Sequence, residues 1–352
     1  LKERSSFTSL SISARSIISD GEMPDSIIVP IVYSLIFLVG TVGNSLVLAV
    51  LLHNGEVKYN TTNLFILNLA VADLFFIVFC VPFQATIYTL DGWLFGAIAC
   101  KAVHFFIYLT LYASSFTLAA VSVDRYLAIC YPLKSRNLRT TCNAVLAIVM
   151  IWSFSLLFAG PYLSYYQTIN YQETFMCAPV WEDQHRKILD ILTFVFSYIL
   201  PISVVSLAYA RTIKFLWTAV DPLEGISESR KAKRRVTKMI IAVTVLFCLC
   251  WLPHHLLILY FWFGYFDFNQ ATFALRLASH CCSYANSCLN PIVYALISKH
   301  FRKKFKQVFT CVLTVGFFGG NTKVAWLNEE NMSCCIELLV RTWEDILPEK
   351  WL

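Results

Sequence analysis

Apolar residues along this chain come in long unbroken blocks separated by short polar clusters, rather than in strict alternation. Seven blocks stand out, running approximately Ile27 to Leu52, Thr62 to Leu90, Ala102 to Tyr131, Asn143 to Ser164, Ile188 to Ala210, Met239 to Phe263 and Ala271 to Ile297. A helix of about 20 apolar residues crosses a hydrocarbon core of roughly 30 Å. The pattern therefore predicts an all-α membrane protein, a bundle of seven transmembrane helices over residues 27–298. A membrane β-barrel would need alternating segments of about 10 residues.

Lys and Arg between the blocks set the expected orientation. They follow span 1 (Lys58), span 3 (Lys134, Arg136, Arg139), span 5 (Arg230, Lys231, Lys233, Arg234, Arg235) and span 7 (Lys299, Arg302, Lys303, Lys304, Lys306). The alternate loops hold Asp91, Asp267 and a mixed set of Glu173, Glu182, Asp183, Arg186 and Lys187. This bias predicts an extracellular N-terminus and a cytoplasmic C-terminus. Residues 1–26 are polar, lack an apolar centre and contain no N-x-[ST] site, and the site at Asn60 falls in a cytoplasmic loop. After span 7, Phe301, Phe305, Val308 and Phe309 form one helical stripe with basic residues opposite, which predicts an amphipathic interfacial helix over 299–311. Cys311 beside it is a candidate palmitoylation site. Residues 312–352, with Trp326, Trp343, Trp351 and Cys334-Cys335 but no Ser-rich cluster, read as a disordered cytoplasmic tail.

Composition narrows the class. Of 352 residues 58% are hydrophobic and 14% charged, against roughly 25% charged in soluble proteins. That argues against a soluble enzyme, a disordered chain or a nucleic-acid binder. The 13 cysteines are irregularly spaced, unlike a disulfide scaffold or zinc ribbon. A transporter would show paired inverted halves, and the chain shows no H-E-x-x-H, G-x-S-x-G or P-loop pattern of an enzyme. Charges within lipid are costly, so each marks a candidate site: Asp73, the Asp124-Arg125 pair, Asp190 and Arg276. Asp190 has no evident role in the sequence.

These residues fall into a familiar order. Gly43-Asn44, Leu69-Ala-Val-Ala-Asp73, Asp124-Arg125-Tyr126, Trp152, Pro201 with Tyr209, Cys250-Trp251-Leu252-Pro253 and Asn290-Pro291-Ile292-Val293-Tyr294 occur in successive spans. Over about Ile27 to Phe309 the chain resembles a rhodopsin-like (class A) G-protein-coupled receptor. The resemblance implies a disulfide between Cys100 and Cys177, a heterotrimeric G protein as partner (Gq, with some Gi), and activation through Asp124, Arg125, Tyr126, Tyr209, Phe247, Trp251, Pro253, Asn290, Pro291 and Tyr294. It also implies an allosteric sodium and water site at Asp73, Ser114, Asn286 and Asn290; the residues alone also allow a neutral, hydrogen-bonded Asp73 with no ion. Likewise Arg125 could snorkel to the interface rather than act as a switch, and the basic face could meet anionic lipid as well as a G protein. Because the foot of span 6 reads Arg230-Lys-Ala-Lys-Arg-Arg235, an acid that would clamp Arg125 across the bundle is missing there. Pro82, Pro161, Pro201, Pro253 and Pro291 are expected to bend their spans, Pro82 and Pro161 statically and Pro253 and Pro291 as hinges.

The outer halves of the spans carry His104, His254, His255 and His280 among aromatic residues: Tyr88, Trp93, Tyr108, Tyr112, Tyr162, Tyr165, Tyr166, Phe266 and Phe273. Span 3 offers no carboxylate for an amine ligand and span 7 no Lys for a retinal Schiff base. Tyr165 to Cys177 alternates enough to predict a hairpin lid, a wide mouth suited to a peptide. Strings such as Val81-Pro-Phe-Gln-Ala-Thr-Ile-Tyr-Thr-Leu-Asp-Gly-Trp93 and Trp251-Leu-Pro-His-His255 resemble the galanin receptors, most of all their type 2 group. That likeness implies a peptide ligand, galanin or spexin, touching Gln84, Tyr88, Trp93, His104, Tyr166, His254, His255, Ile258, Phe266, Phe273, Arg276 and His280. Phe273 replaces a Tyr of the type 2 pattern and lacks its hydroxyl. The alternative within the class is a kisspeptin- or allatostatin-type receptor.

Overall fold

A computed structural model describes residues 24–53, 60–90, 92–171, 174–218, 228–267, 269–298 and 301–307. The seven expected spans are helices packed side by side. Span 1 is Pro24–His53, span 3 Gly96–Cys130, span 6 Glu228–Phe263 and span 7 Gln270–Ile297. Among the described residues, six spans are long and apolar enough to cross a membrane by themselves. The seventh is less apolar because its inner stripe is polar: Ser279, Ser283, Asn286, Ser287 and Asn290 are all buried against the bundle.

Several helices outrun their apolar blocks. Span 6 begins at Glu228 rather than Met239, and span 5 begins at Asp183 rather than Ile188. Charged first turns continue the helix into water, where backbone bonding needs no apolar face.

Prolines modify three spans differently from expectation. Span 2 is two helices, Thr61–Phe79 and Val81–Thr89, broken at Cys80, with Pro82 in the first turn of the second. A proline fits there because its missing N–H would have had no partner in any case. Pro161 lies outside span 4, which is Thr141–Ala159, and opens a separate turn Tyr162–Tyr165. Span 5 carries a π-helical turn, Val195–Ile199, between Asp183–Phe194 and Leu200–Thr218. The turn widens just before Pro201, with the Leu200 N–H donating to the Val195 carbonyl. Pro253 and Pro291 are internal to spans 6 and 7.

Buried polar side chains stitch the spans together. Trp152 Nε1 donates to Asn68 Oδ1 at 2.8 Å, and Asn68 Nδ2 donates to Thr117 Oγ1 at 2.8 Å, joining spans 4, 2 and 3. Asn44 Nδ2 donates to the carbonyls of Gly40 and Ser287, each at 2.9 Å, joining spans 1 and 7. Span 1 lies so close to span 7 that a Cβ on Gly43 would stand 3.0 Å from Pro291, the use of small residues typical of helix contacts in membranes.

The expected lid is an antiparallel hairpin, β1 (Tyr166–Tyr171) and β2 (Thr174–Pro179), with Thr168 opposite Cys177. A disulfide joins Cys177 to Cys100 in the first turns of span 3, with Cα atoms 5.6 Å apart. At the other end a short helix covers 301–307, with Phe301 stacked on Tyr294 of span 7, ring centroids 5.6 Å apart. Val308, Phe309 and Cys311 lie outside the described residues, as do the terminal segments 1–23 and 308–352.

Candidate functional site

Helix periodicity brings the outer-half residues of several spans onto one interior surface. On span 6, Trp251, His254, Leu257, Ile258 and Phe261 recur at three- and four-residue steps and so share a face. They line a cavity of about 1200 Å³, counting its open mouth, at the hairpin end of the bundle. Gln84, Ile87 and Tyr88 of span 2 and His104, Ile107 and Tyr108 of span 3 form the facing wall. Arg276, His280, Ser283 and Tyr284 of span 7 close one side and Asp190 of span 5 the other, under Tyr165, Tyr166 and Cys177 to Pro179.

A hydrogen-bonded relay crosses the facing wall. Tyr284 OH donates to Gln84 Oε1 at 3.1 Å, Gln84 Nε2 lies 3.5 Å from His104 Nε2, and His104 Nδ1 lies 2.9 Å from the Cys100 carbonyl. A carbonyl only accepts, so His104 carries its proton on Nδ1 and Nε2 accepts from Gln84. His104 also stacks on Tyr166, ring centroids 3.7 Å apart. Across the cavity, Tyr88 OH and His280 Nδ1 are 2.6 Å apart. Burial, reinforced by the charge of Asp190 and opposed by Arg276, pushes the Tyr166 phenol up to about 12, so it remains protonated.

Nine of the twelve sequence-expected contacts border this cavity: Gln84, Tyr88, His104, Tyr166, His254, Ile258, Phe266, Arg276 and His280. The other three sit elsewhere. Trp93 is buried against Phe83 and Phe95, its Nε1 donating to the Gly96 carbonyl at 2.7 Å while its own N–H donates to Phe175 of the hairpin. His255 points between Phe194 and Tyr198 of span 5, because consecutive helical residues diverge by about 100° and His254 takes the cavity side. Phe273 touches Tyr88 edge-on, 6.3 Å between centroids, outside the lining. Tyr112 and Tyr162 are likewise core residues, both within hydrogen-bond reach of Thr193 Oγ1 at 3.1 and 2.8 Å.

Asp190 is the residue whose role was missing from the sequence. Its Oδ2 accepts from Trp262 Nε1 at 2.8 Å, a bond between spans 5 and 6. The signal available beforehand was only that a membrane carboxylate demands a partner.

Beneath the cavity, Trp251 stands over Phe247, 6.2 Å between centroids. In mid-bundle Asn290 Nδ2 donates to Asp73 Oδ2 at 2.7 Å. Among the described residues, Asp73 Oδ1, Asn286 Oδ1 and Asn290 Oδ1 are buried without a hydrogen-bond partner, and Ser114 is buried too. Three uncompensated oxygens are hard donors of the kind a small cation requires.

At the end away from the hairpin, Asp124 collects more partners than its neighbour. Arg125 bonds its Oδ2 through Nη2 at 2.7 Å, while Arg139 Nε donates to Oδ1 at 2.8 Å. Thr61 and Thr62 hydroxyls donate to the same carboxylate at 2.7 and 2.8 Å. Arg139 sits in the loop after span 3, whose charges read simply as an inside marker in the sequence. Nearby, Ser122 Oγ donates to Tyr209 OH at 3.1 Å, and Tyr126 meets Tyr131 edge-on.

The sequence of this chain matches known proteins. The family model for the 7 transmembrane receptor (rhodopsin family) matches residues 43–294. Galanin receptor 2b of Danio rerio is 66% identical over 324 residues, covering 88% of this chain and 86% of that one. Galanin receptor type 2 of Homo sapiens is 64% identical, covering 82% and 74% respectively, and galanin receptor type 3 of Homo sapiens is 59% identical, covering 81% and 79%. With the seven-helix bundle, the bridge between span 3 and the hairpin, and the Asp124-Arg125 pair in place, the chain belongs to the rhodopsin family of seven-transmembrane receptors.

Proposed function

We propose that this chain is a plasma-membrane receptor for a galanin-type neuropeptide, galanin or spexin, which signals through heterotrimeric G proteins and performs no enzymatic chemistry. The observation that carries the reading is the 64% identity to the human type 2 galanin receptor over 82% of this chain. The Lys and Arg bias of the loops supports an extracellular N-terminal segment, 1–26, and a cytoplasmic 299–352.

The cavity suits such a ligand. A buried indole or phenol of a peptide needs a hydrogen-bond partner, and the imidazoles of His254 and His280 on spans 6 and 7 offer one within an aromatic well. A ligand pressing on His254 bears on Trp251, 5.9 Å away. Trp251 and Phe247 then repack around the bend at Pro253, and span 6 swings at its basic foot. A ligand shifts this equilibrium only by its differential affinity for the two states. Asp73, Ser114, Asn286 and Asn290 would hold sodium in the resting state, and Arg125, released from Asp124, would meet the G protein, Gq and in part Gi.

Transfected cells expressing the full chain are challenged with galanin, spexin and kisspeptin while calcium and inositol phosphate are followed. Galanin and spexin evoke a response. A response to kisspeptin alone, or to none of the three, overturns the reading.

A further inference from the structure

The cavity is polar at two charged positions, and only one has an assigned use. Arg276 stands on span 7, and Asp190 on span 5. Asp190 is a carboxylate held ready: the Trp262 indole fixes Oδ2 at 2.8 Å. Trp262 is itself only 6% exposed and lies under the Arg186 guanidinium, 5.7 Å from the ring centroid. Arg186, itself 1% exposed, pairs with Asp183, Nη1 lying 3.0 Å from Oδ1, and its charge also reaches Asp190 through space. The Asp190 charge therefore borders the cavity on a rigid support, and its field reaches across to the Tyr166 phenol.

The indole hydrogen bond carries no charge, and the Arg186 guanidinium, whose ion pair is with Asp183, acts on Asp190 only through space, so the carboxylate still gains from a cation brought into contact with it. A structural role alone would be served by Asn, which accepts the same indole proton without the cost of burying a charge.

We propose that Asp190 is the cation subsite of the ligand cavity, pairing with an ammonium or guanidinium group of the bound peptide. This deepens the peptide-receptor reading and rests on it. Two sources supply that chemistry, the peptide's free α-amino end and a Lys or Arg side chain.

The test pairs receptor charge with ligand charge. Wild-type receptor and Asp190→Asn are compared in cells with galanin, N-acetylated galanin, and an analogue in which each Lys and Arg is replaced by a neutral residue. Surface expression is measured by flow cytometry. On wild type one of the two neutralised peptides loses potency by at least about tenfold, and which one identifies the source. Asp190→Asn weakens galanin by a similar factor yet shifts that neutralised peptide by less than about threefold. Equal shifts for charged and neutralised peptides, or no shift for either, overturn the proposal. Should Asp190→Asn fail to reach the surface, Asp190→Ser is read by the same ratio. Failure of the ligand reading shows separately, as a wild-type receptor silent to galanin. The same comparison then runs with spexin or kisspeptin, whichever activates it.

Discussion

Replacing Arg139 by Ala removes one of two guanidinium groups from Asp124. The carboxylate is 6% exposed, and the Arg139 side chain 24%. Removing one partner of a buried ion pair costs about 3–5 kcal/mol when the remaining charge is left alone. Here Arg125 stays at 2.7 Å and water reaches Arg139, so we expect the effect to be about 1 kcal/mol, or roughly fivefold in an equilibrium constant. The sign follows from competition. Arg139 and Arg125 share one carboxylate, and without Arg139 the whole attraction falls on Arg125, which holds it more tightly. Basal inositol phosphate accumulation in Arg139→Ala cells should fall about fivefold and the galanin concentration for half-response should rise, at equal surface expression. Raised basal activity would refute the reasoning, since it would make Arg139 a restraint rather than a competitor.

The proposed sodium site and the paired histidines give two more tests. Agonist affinity should decrease with sodium in wild type and become indifferent to it in Asp73→Asn; equal sensitivity in both removes the ion from Asp73. His254→Ala should weaken peptide potency by about tenfold through the cavity wall. His255→Ala, removed from the wall and packed on Phe194 and Tyr198, should instead lower surface expression or maximal response. The reverse pattern would contradict the helix rotation seen on span 6.

The spans were readable because lipid permits few alternatives: a membrane segment must be apolar and must satisfy its own backbone. Order and depth of Asp73, Asp124-Arg125 and Asn290-Pro291 were readable for the same reason. Facing was not. A helix apolar nearly all round gives no stripe to mark its interior side, so Tyr112 and Trp93 looked like cavity residues although both are core. The His254-His255 pair held a clue, since neighbours on a helix point about 100° apart and one cavity cannot easily take both. Partners distant in sequence were hidden altogether. Nothing local in the chain joins Asp190 to Trp262, 72 residues later, or Arg139 to Asp124 and Thr61.

The break at Cys80 has a bearing on how such a cavity changes over evolutionary time. Below it span 2 packs Leu69, Asp73 and Phe76 into the bundle; above it a fresh helix offers Gln84, Ile87 and Tyr88 to the ligand. Since each residue turns a helix by about 100°, inserting or deleting one residue at 80–82 would rotate the upper helix without disturbing the register below. That junction works as an index: it lets the span 2 wall be exchanged for a different face, and a different ligand chemistry, while the core beneath keeps its contacts.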